Sequence, residues 1–131
     1  MDKKPAARIL IVDDEPDFLA TISYWLTSRG YDVVVANGGT EALARLSGSA
    51  FDVIFLDIVM PQLGGLETLK RLRAMGVKSP VVLLTTTGQD PVSLIDFQAF
   101  DIKGLFQKQG SLAAFAQVLE AALKARPASN P

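Results

Sequence analysis

Short blocks of apolar residues alternate along this chain with stretches in which apolar residues recur every three or four positions. Ile9-Leu10-Ile11-Val12, following Arg8, is apolar without interruption, the pattern of a strand buried on both faces. The polar run Asp13-Asp14-Glu15 comes next. Pro16 then suits a first helical turn, because its missing N–H has no intrahelical partner there. Phe18, Leu19, Ile22, Trp25 and Leu26 recur at helical spacing, and Arg29-Gly30 marks the helix end.

The same cycle returns four times. Tyr31 to Val35 predicts a strand, Thr40 to Leu46 a short helix closed by Ser47-Gly48, and Phe51 to Leu56 a strand ending at Asp57. After the loop Met60-Pro61-Gln62-Leu63-Gly64-Gly65, Leu66, Leu69 and Leu72 mark a helix closed by Gly76. Its other face carries Lys70, Arg71 and Arg73, expected to be solvated. Val81 to Leu84 predicts the fourth strand, with Pro80 where a strand start tolerates proline. Asp90-Pro91 is an N-cap followed by proline at the first helical position, so a helix is expected over 92–100. Gly104 to Gln107 predicts the fifth strand. Ser111 can cap a last helix carrying Leu112, Phe115, Leu119 and Leu123. Five strands and five helices in alternation predict an α/β domain, a doubly wound five-stranded parallel sheet with helices on both faces. The domain is expected over 8–126, between flexible segments at 1–7 and 127–131.

Composition narrows what such a domain can do. A length of 131 residues fits one domain, and a hydrophobic share of 49% is enough for a packed core. Thirteen Lys+Arg against 14 Asp+Glu leave a formal charge of −1, so bulk charge drives binding to neither nucleic acid nor an anionic membrane. The chain has no His and no Cys, which excludes Ser-His-Asp and Cys-His catalytic groups and ordinary structural zinc sites. The lack of Cys also suits a reducing cytosol. The apolar runs fall far short of the ~20 residues that span a bilayer. Met1-Asp2-Lys3-Lys4-Pro5 leads into no apolar stretch of signal-peptide length. A cytoplasmic location without membrane contact is expected.

In doubly wound folds ligands sit beyond the carboxyl ends of the strands, where strand order reverses. Asp13 and Asp14 follow the first predicted strand, Asp57 the third, Thr85 the fourth and Lys108 the fifth. Three carboxylates, a hydroxyl and an ammonium therefore converge. Unit charges ~4 Å apart at an effective dielectric of ~20 repel by roughly 4 kcal/mol, so the carboxylates need a cation or shifted pKa values. Oxygen ligands without His or Cys favour a hard divalent ion such as Mg²⁺, with Asp13 and Asp14 at the metal end. Asp57 can then act as a nucleophile that forms an acyl phosphate. Lys108 would pair with a phosphoryl oxygen as a point charge, and Thr85 would donate a hydrogen bond to another.

Val12-Asp13-Asp14-Glu15, Leu56-Asp57-Ile58-Val59-Met60-Pro61 with Gly64-Gly65, Leu84-Thr85 and Lys108 resemble, in order, the signatures of receiver domains of two-component response regulators. The resemblance runs from about Arg8 to Arg126. It implies a flavodoxin-like (βα)5 fold with strand order 2-1-3-4-5. It implies that Asp57 is the phosphoacceptor, charged from a phosphohistidine of a sensor histidine kinase or histidine phosphotransfer protein. Asp14, Asp57 and the backbone carbonyl of Val59 would ligate Mg²⁺, and Asp13 would act through water. Thr85 would shift toward the phosphoryl group and Lys108 would neutralise it. The missing histidine fits a donor imidazole supplied by another protein.

By the same resemblance, phosphate turnover is self-catalysed and the domain is not a conventional enzyme. It would signal to a downstream protein through the face formed by the fourth helix, fifth strand and fifth helix. No direct nucleic-acid binding is expected, because no output domain follows Arg126. A stand-alone regulator, a phosphorelay carrier and an excised piece of a larger protein all fit, and the Ala-rich last helix is compatible with a homodimer.

The chain departs from the family pattern at three places. Gln109 stands where receivers usually carry proline after the lysine, so a trans bond and a rearranged loop are expected. Leu105 stands where receivers usually carry Tyr or Phe, which makes the switch atypical. Phe106 should point to the opposite face and not substitute for that ring. Asp101-Ile102 replaces a common Gly-Ala pair, and Phe97, Phe100 and Ile102 are either all core, or one or two of them are exposed and form a partner-binding patch. Leu105 and Gln109 motivate one alternative, a phosphorylation-independent binding module on the receiver fold. The acidic cluster motivates another, an Mg²⁺-dependent phosphohydrolase. Against that reading, Val59 stands where such an enzyme would carry its second aspartate, and there is no room for a substrate cap.

Overall fold

A computed structural model describes residues 6–86 and 95–127. Nine elements follow one another: β1 (Arg8–Val12), α1 (Pro16–Ser28), β2 (Asp32–Ala36), α2 (Gly39–Gly48), β3 (Val53–Asp57), α3 (Gly65–Ala74), β4 (Val81–Thr85), β5 (Ile102–Gln107) and α4 (Leu112–Lys124). The five strands form one parallel sheet in the order β2-β1-β3-β4-β5, as the resemblance implies.

Alternation along each strand sends side chains to two separate cores. Ile9, Ile11, Val53, Phe55, Val82 and Leu84 face α1 and α4, where they meet Leu19, Ile22, Leu26, Phe115 and Leu119. Leu10, Val12, Ile54, Leu56, Val81 and Leu83 face α2 and α3, where they meet Ala42, Leu46, Leu69 and Leu72. Every residue of β3 and β4 is buried, which explains why those strands read as unbroken apolar runs. Phe115 sits at the centre of the first core, stacked on Phe55 at 4.7 Å and met edge-on by Phe106 and Trp25. Trp25 is thus packing, as expected.

Some expectations change. The predicted helix over 92–100 lies partly outside the described residues, and its described part, 95–100, is a bend and turns. Four helices are therefore found among the described residues, and the last is α4. Over the described residues here, Ile95 and Ile102 are buried and Phe97 and Phe100 pack on the second core. The aromatic residues here are thus core, not a docking patch. The fifth strand begins at Ile102, two residues earlier than predicted, because a register irregularity between Val81 and Val82 absorbs Lys103. The expected terminal segments fall largely outside the described residues.

Arg73 is not on a solvated face. Its guanidinium donates to the carbonyls of Phe100 (2.9 Å), Val77 (2.8 Å), Ser79 (2.9 Å) and Asp101 (3.3 Å). It ties the end of α3 to the turns that precede β4 and β5. One of those turns contains Asp101, whose φ of 55° is otherwise unfavourable for a residue with a side chain. Among the described residues no helix is long and apolar enough to cross a membrane.

Candidate functional site

The carboxyl edge of the sheet is held in place by one more ladder-type bond beyond each functional strand. The Asp13 N–H donates to the Ala36 carbonyl at 3.1 Å, the Ile58 N–H to Leu84 at 3.1 Å and the Lys108 N–H to Thr85 at 2.8 Å. Asp13, Asp57 and Lys108 therefore project from backbone that is still part of the sheet, while the residues after them turn away. The turns are made by the side chains themselves: Asp13 Oδ1 accepts the Glu15 N–H at 2.8 Å, and Asp57 Oδ1 accepts the Val59 N–H at 3.1 Å. Behind Asp57 the chain returns in a tight loop closed by the Gly65 N–H on the Ile58 carbonyl at 3.0 Å.

Carboxylate oxygens of Asp13, Asp14 and Asp57 lie within 4.8 Å of one another. Asp13 and Asp57 are buried and Asp14 is exposed. Lys108 completes the group with its Nζ 3.0 Å from Asp13 Oδ2 and 3.6 Å from Asp57 Oδ2, and in direct contact with Glu15. The lysine side chain is only 7% exposed, and its ammonium also lies 5.3 Å from the centre of the Phe18 ring. Thr85 ends β4 and is buried. Val59 exposes its side chain, leaving only its backbone for the site.

Electrostatics follow from this crowding. Burial, then the negative charge of Asp13, push the Asp57 carboxyl up to about 8, against the opposing pull of the Val59 N–H. Burial also raises Asp13, where the Lys108 hydrogen bond and charge oppose it. Asp13 Oδ2 is fully buried and accepts no hydrogen bond: Lys108 Nζ is near enough for an ion pair but is aligned on Oδ1, at 3.2 Å. A buried carboxylate oxygen without a donor, beside two further carboxylates and no nitrogen or sulfur ligand, is a donor set suited to a hard divalent cation.

The predicted residues Asp13, Asp14, Asp57 and Lys108 thus meet at one point, with Thr85 at the adjacent strand end. Leu105, predicted to bear on signalling, pairs with Leu83 in the sheet and is 41% exposed. Phe106 points to the other face, onto Phe115, as expected. No cis peptide bond occurs among the described residues, and the turn after Lys108 is closed by the Gly110 N–H on the Gln107 carbonyl. Sequence reasoning missed two features of the site. Glu15 is a partner of Lys108, a signal present only as the third acid in a row. Phe18, read as part of the apolar stripe of α1, lies beside the same ammonium. A groove of about 670 Å³ lies at the opposite edge of the sheet, lined in part by Phe51, Pro80 and Leu123.

Comparison with known proteins agrees with this geometry. Residues 9–120 match the family described as the response regulator receiver domain. The alkaline phosphatase synthesis transcriptional regulatory protein PhoP of Bacillus subtilis is 37% identical over 83 residues, which is 63% of this chain and 35% of that protein. A CpxR homolog from Haemophilus influenzae, a transcriptional regulatory protein, is 40% identical over 84 residues, 64% of this chain and 36% of that one. The matches thus span little more than a third of those relatives' length. The solved structure of the chemotaxis protein CheY4 of Vibrio cholerae is 31% identical and superposes with a TM-score of 0.81, over 90% of this chain and 99% of that one. Sequence match, sheet order and the carboxylate–lysine cluster lead to one assignment: this chain belongs to the response regulator receiver domains of two-component signalling.

Proposed function

We propose that this chain is phosphorylated on Asp57 by a phosphohistidine of a sensor histidine kinase or histidine phosphotransfer protein, and signals by protein–protein contact. The observation that carries this reading is the meeting of Asp13, Asp14 and Asp57 within 4.8 Å, with Lys108 beside them. One Asp57 carboxylate oxygen attacks phosphorus while the donor's P–N bond breaks and its electron pair returns to the imidazole, which takes up a proton from solvent. The donor imidazole comes from outside these 131 residues, which contain no His.

Asp14, Asp57 and the Val59 carbonyl would hold Mg²⁺, with Asp13 acting through water. When bound, the ion supplies charge neutralisation for the incoming phosphoryl oxygens. Lys108 pairs with one of those oxygens, and the Thr85 hydroxyl donates to another. Turnover is confined to phosphotransfer onto Asp57 and its hydrolysis, so the domain is a signalling element and not a conventional enzyme.

Leu105 and Leu112 are both exposed, on β5 and at the start of α4. They offer an apolar surface for a downstream protein or a second copy of this chain. With no ring at Leu105, the output cannot use the inward rotation of an aromatic side chain. The same exposure favours a second reading, a module that binds its partner through this face whatever the state of Asp57.

Intact-protein mass after incubation with acetyl phosphate, with and without Mg²⁺, separates the two. A metal-dependent gain of one phosphoryl group that Asp57→Asn abolishes is the result expected for a receiver. No gain on folded wild type would favour the phosphorylation-independent module.

A further inference from the structure

Lys108 is contacted by three carboxylates, and only two of them belong to the acidic cluster. Asp13 and Asp57 are members of that cluster, whereas Glu15 is not. The Glu15 side chain is 56% exposed while the Lys108 side chain is 7% exposed, so Glu15 lies over the ammonium from the solvent side. Its backbone is fixed at the start of α1: its N–H donates to Asp13 Oδ1 and its carbonyl accepts the Leu19 N–H at 3.1 Å. As the residue that precedes the helix it could have capped a backbone N–H, yet its side chain makes no such bond. The carboxylate is directed to the lysine instead.

An ammonium hydrogen bond directed at Glu15 is not available to an oxygen arriving on Asp57. A phosphoryl group adds up to two negative charges beside Lys108 and offers it the stronger partner. We propose that Glu15 is a positioning residue that holds Lys108 in the unphosphorylated protein and competes with the phosphoryl group for it, so that its strength tunes how readily Asp57 is charged. This inference rests on reading Asp57 as the phosphoacceptor.

The test compares wild type with Glu15→Gln, Glu15→Asp and Asp17→Asn for the rate of mass gain from acetyl phosphate at saturating Mg²⁺. Asp17 is a second exposed acid in the first turn of α1 and removes the same charge without being a partner of Lys108. Glu15→Gln is expected to label about two- to fivefold faster, the range of a partly exposed ion pair. Glu15→Asp, which keeps the charge and loses the reach, should also be faster, and Asp17→Asn should match wild type. A second readout needs neither metal nor phosphate. The reaction of Lys108 with an acylating reagent, followed by peptide mass, should rise at least about twofold in metal-free Glu15→Gln. Equal acceleration by Asp17→Asn would overturn the proposal in favour of bulk charge, as would unchanged labelling together with unchanged Lys108 reactivity. A folded wild type that takes no phosphoryl group would instead defeat the receiver reading itself, while the acylation assay still reports on the Glu15–Lys108 contact.

Discussion

Gly65 is packed so closely against Asp57 that a Cβ there would lie 2.3 Å from the Asp57 carbonyl oxygen and 2.7 Å from the Ile58 Cα. Both atoms are backbone, so no rotamer change can relieve the clash. The start of α3 is thereby held directly behind the phosphoacceptor candidate, and the loop bearing Val59 closes on itself through the Gly65 N–H.

Gly65→Ala is expected to displace that loop. The variant should lose about 1–3 kcal/mol of stability, as overpacked sites do. Its Mg²⁺ affinity should fall too, because the Asp57 carboxylate and the Val59 carbonyl move together. Urea unfolding and calorimetric titration with MgCl₂ check both; wild-type values in each would show that the contact is not constraining.

Arg73 yields a second stability prediction, away from the site. Arg73→Met removes four hydrogen bonds to backbone carbonyls, two of them in the turn before β5. A loss of about 2–3 kcal/mol is expected, with the partly buried carbonyls left without donors. Arg73→Lys should recover less than half of it, because an ammonium cannot span the same fork of acceptors. Denaturant midpoints of the two variants against wild type decide this, and an unshifted midpoint for Arg73→Met would place the residue back among solvated side chains.

The alternation of apolar runs and helical stripes is strong enough that the strands and helices flanking the site lie within two residues of their predicted ends. The convergence of Asp13, Asp57 and Lys108 was legible because each directly follows, or ends, an apolar strand, and strand ends in a parallel sheet share one edge. What could not be read were contacts between residues distant in sequence. Arg73 and Phe100 are joined by a hydrogen bond that no periodicity announces, and the arginine sits beside the buried stripe of α3 like any surface residue. The segment leading into β5 misled for a different reason. A helix is expected over 92–100, yet its described part, residues 95–100, forms turns held by the Phe100 N–H on the Asp96 carbonyl and the Ile102 N–H on the Phe97 carbonyl. Burial of Ile95 and Ile102 against the second core overrides the helical spacing there.

Asp14 allows the metal role to be separated from folding. Its side chain is exposed and its neighbours in the cluster are not, so Asp14→Ala should leave the fold intact. Mg²⁺ affinity should nevertheless drop at least about tenfold, and labelling should lose its dependence on the metal. Calorimetric titration with MgCl₂ and mass gain from acetyl phosphate provide the two readings. Undiminished affinity would remove Asp14 from the ligand set.

The raised carboxyl of Asp57 gives the metal-free protein a defined response to pH. A carboxyl at about 8 in the folded state, against ~3.9 in the unfolded chain, means that the folded protein binds the extra proton between those limits. Stability in EDTA should therefore be greatest near pH 4–5 and fall as pH rises toward 8, by an amount on the order of a few kcal/mol. Asp13, raised in the same direction, adds to the slope. Asp57→Asn carries no charge at any of these pH values. It should flatten most of the fall and be more stable than wild type at pH 8, while the two remain close at pH 5. Mg²⁺ favours the ionised carboxylates, so it should restore wild type at pH 8 far more than at pH 5. Urea midpoints at the two pH values, with EDTA or with MgCl₂, measure all four arms. A wild-type midpoint that does not move between pH 5 and pH 8 in EDTA would mean that Asp57 ionises at an ordinary pH and that the cluster is less crowded than its geometry requires.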